Sequence, residues 1–303
     1  MTAIFVVIVV VVAMLAVAQF VATWRAPRLL KMVNQLALRV NLIVGDELRP
    51  ALEQQVAMRE RGRLVGVTLA LVVIAVVFQP LGENAVDLGL AAAPISVGLA
   101  FLSGQLGAIV GGVIARRSVP TNESVARLET IGLAELVAPV ERRMAAIAAV
   151  VAIGLPTLLM IVTSLPTTEA PEVTEASAAP LALAGLAAGA VYLALPIIAR
   201  RVTSHRAILG DTAALAWSDA LAAQSLRDLH WLIAMIGGLS GLTALMALGT
   251  VLPGDANVAV IFINVSAWTS VLALLISFAL VAVRSPERHV QRTLWPEFAI
   301  VSQ

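Results

Sequence analysis

Among the apolar stretches of this chain, the residues best suited to chemistry are Gly238-Leu239-Ser240-Gly241, a serine set between small residues. A hydroxyl becomes a nucleophile only with a base within hydrogen-bond reach. The chain holds 3 histidines: His205, His230 and His289. His230 opens the same apolar stretch as Ser240, and the intervening helix would hold the two about 15 Å apart. His205 and His289 fall in polar segments. A serine–histidine dyad therefore cannot be assembled, and the motif reads as packing, with an intramembrane hydrolase kept only as a minor alternative.

The same four residues resemble the Gly-x-Ser-Gly around the serine of rhomboid intramembrane proteases, but the match ends there and lacks the histidine. Other chemistries have still less support. With no cysteine there is no disulfide, thiolate ligand or thiol nucleophile. There is no HExxH, no intramembrane aspartate pair, no Walker A pattern and no dinucleotide-binding glycine fingerprint. Haem ligation lacks its histidines, and a retinal linkage lacks a lysine within a span, because the sole lysine is Lys31. We expect no enzyme, no cofactor and no metal site, and the motifs point to no particular family.

What positions these residues is an apolar framework. Apolar residues make up 60% of the 303, and charged residues 13%, about half the share in a typical soluble domain. Mean hydropathy is +0.95. Such a composition excludes both a water-soluble globule and a disordered chain, and leaves an all-α, polytopic membrane protein whose first partner is the lipid bilayer. A net charge of +1 and 4% aromatics argue against nucleic-acid binding. The arginine, alanine and valine bias suggests a GC-rich bacterial genome, hence a bacterial cytoplasmic membrane.

Seven segments are long and apolar enough to cross: 3–23, 64–80, 88–115, 144–165, 180–199, 230–252 and 258–283. The second is the shortest, which leaves six or eight spans as alternatives. The first lacks a basic n-region and is followed by Arg25, Arg28 and Lys31, which predicts a retained anchor rather than a cleaved signal. With the N-terminus outside and the C-terminus inside, segments 25–63, 116–143, 200–229 and 284–303 face the cytoplasm. They hold all 20 basic residues, whereas the outer connections carry Glu83, Asp87, Glu169, Glu172, Glu175 and Asp255. The outer connection 166–179 is acidic and Pro/Thr-rich, which predicts a solvated loop.

The inner segments are patterned. Apolar residues recur at helical spacing through 29–59, with a break expected near Gly45, and again in 121–143 and 211–229. These amphipathic helices would lie on the inner leaflet, extend the spans or dock a cytoplasmic protein, with Arg116, Arg117, Arg200 and Arg201 as contact candidates. The apolar tail around Trp295 and Phe298 would sit among headgroups or bind a partner. A weak repeat pairs 93–165 with 179–252 within one integral membrane domain spanning 1–303.

Within the spans, Gly104, Gly107, Gly111, Gly185, Gly189, Gly237 and Gly241 fall at helix-packing intervals. Gln105 and Asn264 are the costly polar residues, expected to hydrogen-bond across helices. The expectation is a non-enzymatic membrane subunit that contacts a cytoplasmic partner. The alternative is a permease or facilitator for a small or lipophilic solute, coupled to a separate ATPase if it is driven at all. Oligomeric state is not encoded in any signal of the sequence.

Overall fold

A computed structural model describes residues 26–78, 85–117, 131–164, 172–204, 212–251 and 288–298, together with Met14, Ala18, Phe20, Val21 and Thr23. The described residues are almost entirely helical and contain no strand. The proposed first and seventh spans lie outside them, apart from those five residues. Three helices, Pro139–Thr163, Gly185–Thr203 and Thr212–Leu245, are long and apolar enough to cross a bilayer, and Leu99–Ala115 is a shorter apolar helix. The chain divides into two compact units, and both copies of the proposed repeat straddle the division.

The first unit comprises 1–136, 199–229 and 287–303. Its α1 (Ala26–Val40) carries Val33, Ala37 and Val40 on a buried stripe at three- and four-residue spacing, with Lys31, Asn34, Leu38 and Arg39 exposed. The helix stops at Asn41, whose φ of 63° is tolerated by asparagine better than by most residues. The Leu42 N–H then donates to the Ala37 carbonyl at 3.2 Å, and buried Leu42 covers Ala37. That bond is the signature of a Schellman stop. The expected break near Gly45 is thus fixed four residues earlier by Asn41.

A turn closed by Leu48 N–H to Gly45 O leads into α2 (Arg49–Phe78), with Pro50 in its first turn. α2 is two helices in one. Charges run through it as far as Arg63, and from Leu64 onward it carries none, with Val65, Leu69, Val72 and Val73 exposed. It packs antiparallel on α3 (Ala85–Arg117) through backbone contact. A Cβ on Gly62 would collide with the Gly107 carbonyl, one on Gly66 with that of Ser103, and one on Gly111 with that of Met58.

The amphipathic helix expected over 121–143 is interrupted. Residues 121–130 lie outside the described set. α4 (Leu133–Leu136) is a single turn, with the Gly132 N–H held by the Glu135 carboxylate at 2.9 Å. A new helix, α5 (Pro139–Thr163), begins at Pro139, which forces Ala138 out of helical geometry to ψ 144°.

The second unit holds 137–198 and 230–286. Here α5 packs against α6 (Glu172–Ser204) and against the later part of α7 (Thr212–Val251). Gly237 abuts Ala148, Gly241 abuts Val151, and Leu159 clusters with Ala244 and Leu248, so α5 and α7 run parallel. α6 starts at Glu172, which corrects the expectation of a loop through 179. Glu172, Glu175 and the alanines after them are good helix formers, and acids suit a helix N-terminus. Nor are 211–229 and 230–252 separate elements: no Gly or Pro interrupts 212–236, so α7 continues for 40 residues, about 60 Å.

Candidate functional site

Within the first unit, the polar-patterned segments that flank the apolar stretches fold on one another. Val33, Ala37, Val40 and Leu42 from α1 and its stop pack with Leu52 of α2 and with Ala214, Trp217 and Leu221 of α7. Trp217 is fully buried and donates its indole N–H to the Ile43 carbonyl at 2.9 Å. The C-terminal segment joins this core. α8 (His289–Leu294) and the 3₁₀ turn Pro296–Phe298 flank Trp295, which packs on the cluster and donates its indole N–H to Asp219 at 2.9 Å. Asn41 donates to Gln291 at 3.3 Å, and a His289 ring nitrogen meets the Ala134 carbonyl at 3.1 Å. The indole N–H of Trp295 is thus satisfied within the chain.

Along α2 and α7 the apolar seam turns polar. On α2, Leu52 gives way at helical spacing to Gln55 and Val56, then Arg59, then Gly62 and Arg63. On α7, Trp217 and Leu221 give way to Gln224 and Ser225, then Asp228. Where the polar stretches meet there is a cavity of about 250 Å³. α1 contributes Met32, Gln35, Leu36 and Arg39 to its wall, α2 contributes Gln55, Val56, Arg59, Glu60 and Arg63, and Gly112 of α3 completes the lining with Leu221, Gln224 and Ser225.

Behind the cavity Arg59 forms an ion pair with Asp228, each side chain only 11% exposed. Burying two charges is costly, and their mutual attraction with a charge-assisted hydrogen bond offsets that cost. The second lining pair, Arg63 with Glu60 at 3.3 Å, is more open to water. Each of these carboxylates is therefore engaged. Arg39, exposed on α1, has no ion-pair partner among the described residues. A guanidinium lining with its carboxylates neutralised can take up an anion.

The residues singled out from sequence are distributed as follows. Gly107 and Gly111 lie against α2, and a Cβ on Gly104 would come within 2.9 Å of Val67. Gly185 abuts the Ala152 carbonyl, and Gly189 would meet Ile153 at 2.6 Å. Gln105 on α3 has its side-chain oxygen enclosed with no hydrogen-bond partner among the described residues. Asn264 lies outside them. Arg116 and Arg117 end α3, while Arg200 and Arg201 are exposed near the end of α6. Ser240 donates to the Ile236 carbonyl of its own helix at 2.7 Å, the usual arrangement for serine in an apolar helix. Among the described residues no cluster of three metal-ligating side chains occurs.

Sequence reasoning missed Arg59, Asp228 and the cavity. It also missed Gly62 and Gly66, at four-residue spacing, which lie against Gly107 and Ser103 across the seam. The signal for these two was present, but Arg63 between them marked the segment as polar. No family model matches the chain, and no curated protein or solved structure shows significant similarity to it.

Proposed function

We propose that this chain is a seven-span protein of a bacterial cytoplasmic membrane, N-terminus outside and C-terminus inside. In this reading it acts as a non-enzymatic subunit whose inner face engages a cytoplasmic protein. The observation that carries the reading is the folded module built from α1, the charged part of α2, the front of α7 and the C-terminal segment. All belong to the segments that hold the 20 basic residues, and the module's core leaves Lys31, Leu38, Arg39 and Ile43 exposed as a mixed surface. The topology draws support from the antiparallel α2 and α3, and from the parallel α5 and α7, as alternate crossings require.

Two experiments test this. With no native cysteine, Leu38→Cys gives a single labelling site, since Leu38 is 63% exposed. It should react with a membrane-impermeant maleimide only after cells are opened, and labelling of intact cells would reverse the orientation. Purification of the tagged protein from its native membrane in mild detergent should retain a stoichiometric cytoplasmic protein. Recovery of the chain alone, with solute flux through it in vesicles, would replace the subunit reading with a permease.

A further inference from the structure

We propose that the open cavity lined by α1, α2, α3 and the front of α7 binds a phosphate-bearing group, carried either by an anionic lipid headgroup or by a small soluble phosphorylated compound. The lining presents three guanidinium groups, Arg39, Arg59 and Arg63, against one carboxylate, Glu60. Asp228 neutralises Arg59 and Glu60 neutralises Arg63, while Arg227 stands close enough to repel Arg59. The balance around the cavity is positive. Gln35 and Arg39 stand one turn apart on α1, and Gln224 adds an amide from α7. A cation would meet three arginines, and an apolar ligand would strip water from them without compensation. An anion with several oxygens matches both the charge and the forked donors.

Position favours phosphate over other anions. Arg63 is the last charge on α2 before the apolar stretch, where Val65 is 48% and Leu69 60% exposed. The cavity therefore lies at the level where a bilayer holds its phosphates, a point that rests on the membrane reading above. The floor is open at Gly112, where an added Cβ would meet nothing nearer than the Ser225 hydroxyl at 3.9 Å. A volume of about 250 Å³ suits a headgroup or a small phosphorylated metabolite.

The test uses the purified full-length protein and three variants. Arg39→Ala removes the cation without a described ion-pair partner, Gly112→Leu fills the floor, and Lys31→Ala removes an exposed charge of α1 outside the lining. All three should keep the wild-type melting temperature. Native mass spectrometry from nanodiscs of phosphatidylcholine and phosphatidylglycerol reads the lipid arm. Calorimetry with inorganic phosphate and glycerol 3-phosphate in detergent reads the soluble arm, independently of membrane orientation. Selective phosphatidylglycerol retention, weakened about tenfold by Arg39→Ala and by Gly112→Leu but not by Lys31→Ala, supports a headgroup site. The same pattern for the soluble phosphates supports the metabolite source. No binding in either arm, or binding that Lys31→Ala weakens as much as the other two variants, overturns the proposal.

Discussion

The buried pair of Arg59 and Asp228 sets up a double-mutant cycle whose asymmetry follows from the neighbours. Both side chains are 11% exposed, so loss of one partner leaves a charge with little water to replace it, at a cost of about 3–5 kcal/mol. Arg63 and Arg227 lie near both groups. They repel an Arg59 stripped of its aspartate, and they partly compensate an Asp228 stripped of its arginine. Asp228→Leu should therefore cost about 4 kcal/mol and Arg59→Met about 3 kcal/mol. The double variant should recover more than half of either loss, since apolar side chains of similar size leave no orphaned charge. Differential scanning fluorimetry in one fixed detergent reads this as a melting shift of roughly 10 °C for the worse single variant. Both singles within about 1 kcal/mol of wild type would show that the pair is not desolvated. A larger loss for Arg59→Met than for Asp228→Leu would refute the electrostatic reasoning from Arg63 and Arg227.

Adjacent glycines should respond in opposite ways. Gly237→Ala drives a Cβ into Ala148, whereas Gly238→Ala meets nothing within 4 Å and should raise stability by about 0.5–1 kcal/mol through helix propensity. Equal melting shifts for the two would contradict the placement of α7 on α5. At the other seam, Gly62→Ala should lower the melting temperature at least as much as Gly237→Ala, because its Cβ meets the Gly107 backbone. Trp295→Ala removes the indole bond to Asp219 and its packing on the core, so tryptic cleavage after Arg288 and Arg292 should accelerate. Trp295→Phe should stay close to wild type, and unchanged cleavage in the alanine variant would place the tail elsewhere. Gln105→Leu should be neutral or stabilising, given the enclosed oxygen without a described donor. A loss above about 1.5 kcal/mol would locate a donor in the residues not described.

How far the sequence could be read depended on whether a feature was local. The stripe on α1 is local periodicity, and helical character with apolar helices of membrane length follows from composition and run length. The stop at Asn41 was anticipated only as a break near Gly45, because the Schellman bond depends on Leu42 reaching back to Ala37. The helix expected over 121–143 ignored the local rule at Ala138-Pro139, which was legible. By contrast, Arg59 and Asp228 are 169 residues apart, and each sits in a segment where charges are common. Nothing in either segment marks one arginine or one aspartate as the buried one. The cavity was hidden for the same reason: its walls come from four helices that only the fold brings together.

The amphipathic segments 29–59 and 212–229 fold in a way that limits what any partner could use. Their apolar faces are already occupied: Val33, Leu52, Trp217 and Leu221 are 0–6% exposed within one core. A partner that docked on those faces would have to part α1 from α7, exposing side chains worth about 1.5–3 kcal/mol each. What remains outside is charged and polar surface with isolated apolar residues such as Leu38 and Ile43. Contacts of that kind are steered and held by charge, and salt screens them within a Debye length of about 8 Å at physiological strength. Co-purification of the proposed cytoplasmic partner should therefore fall steeply between low and high salt, and Lys31→Glu should weaken it while leaving the melting temperature unchanged. A partner retained equally at high salt would mean that the apolar faces open to receive it, and the closed core around Trp217 would then describe only the unbound protein.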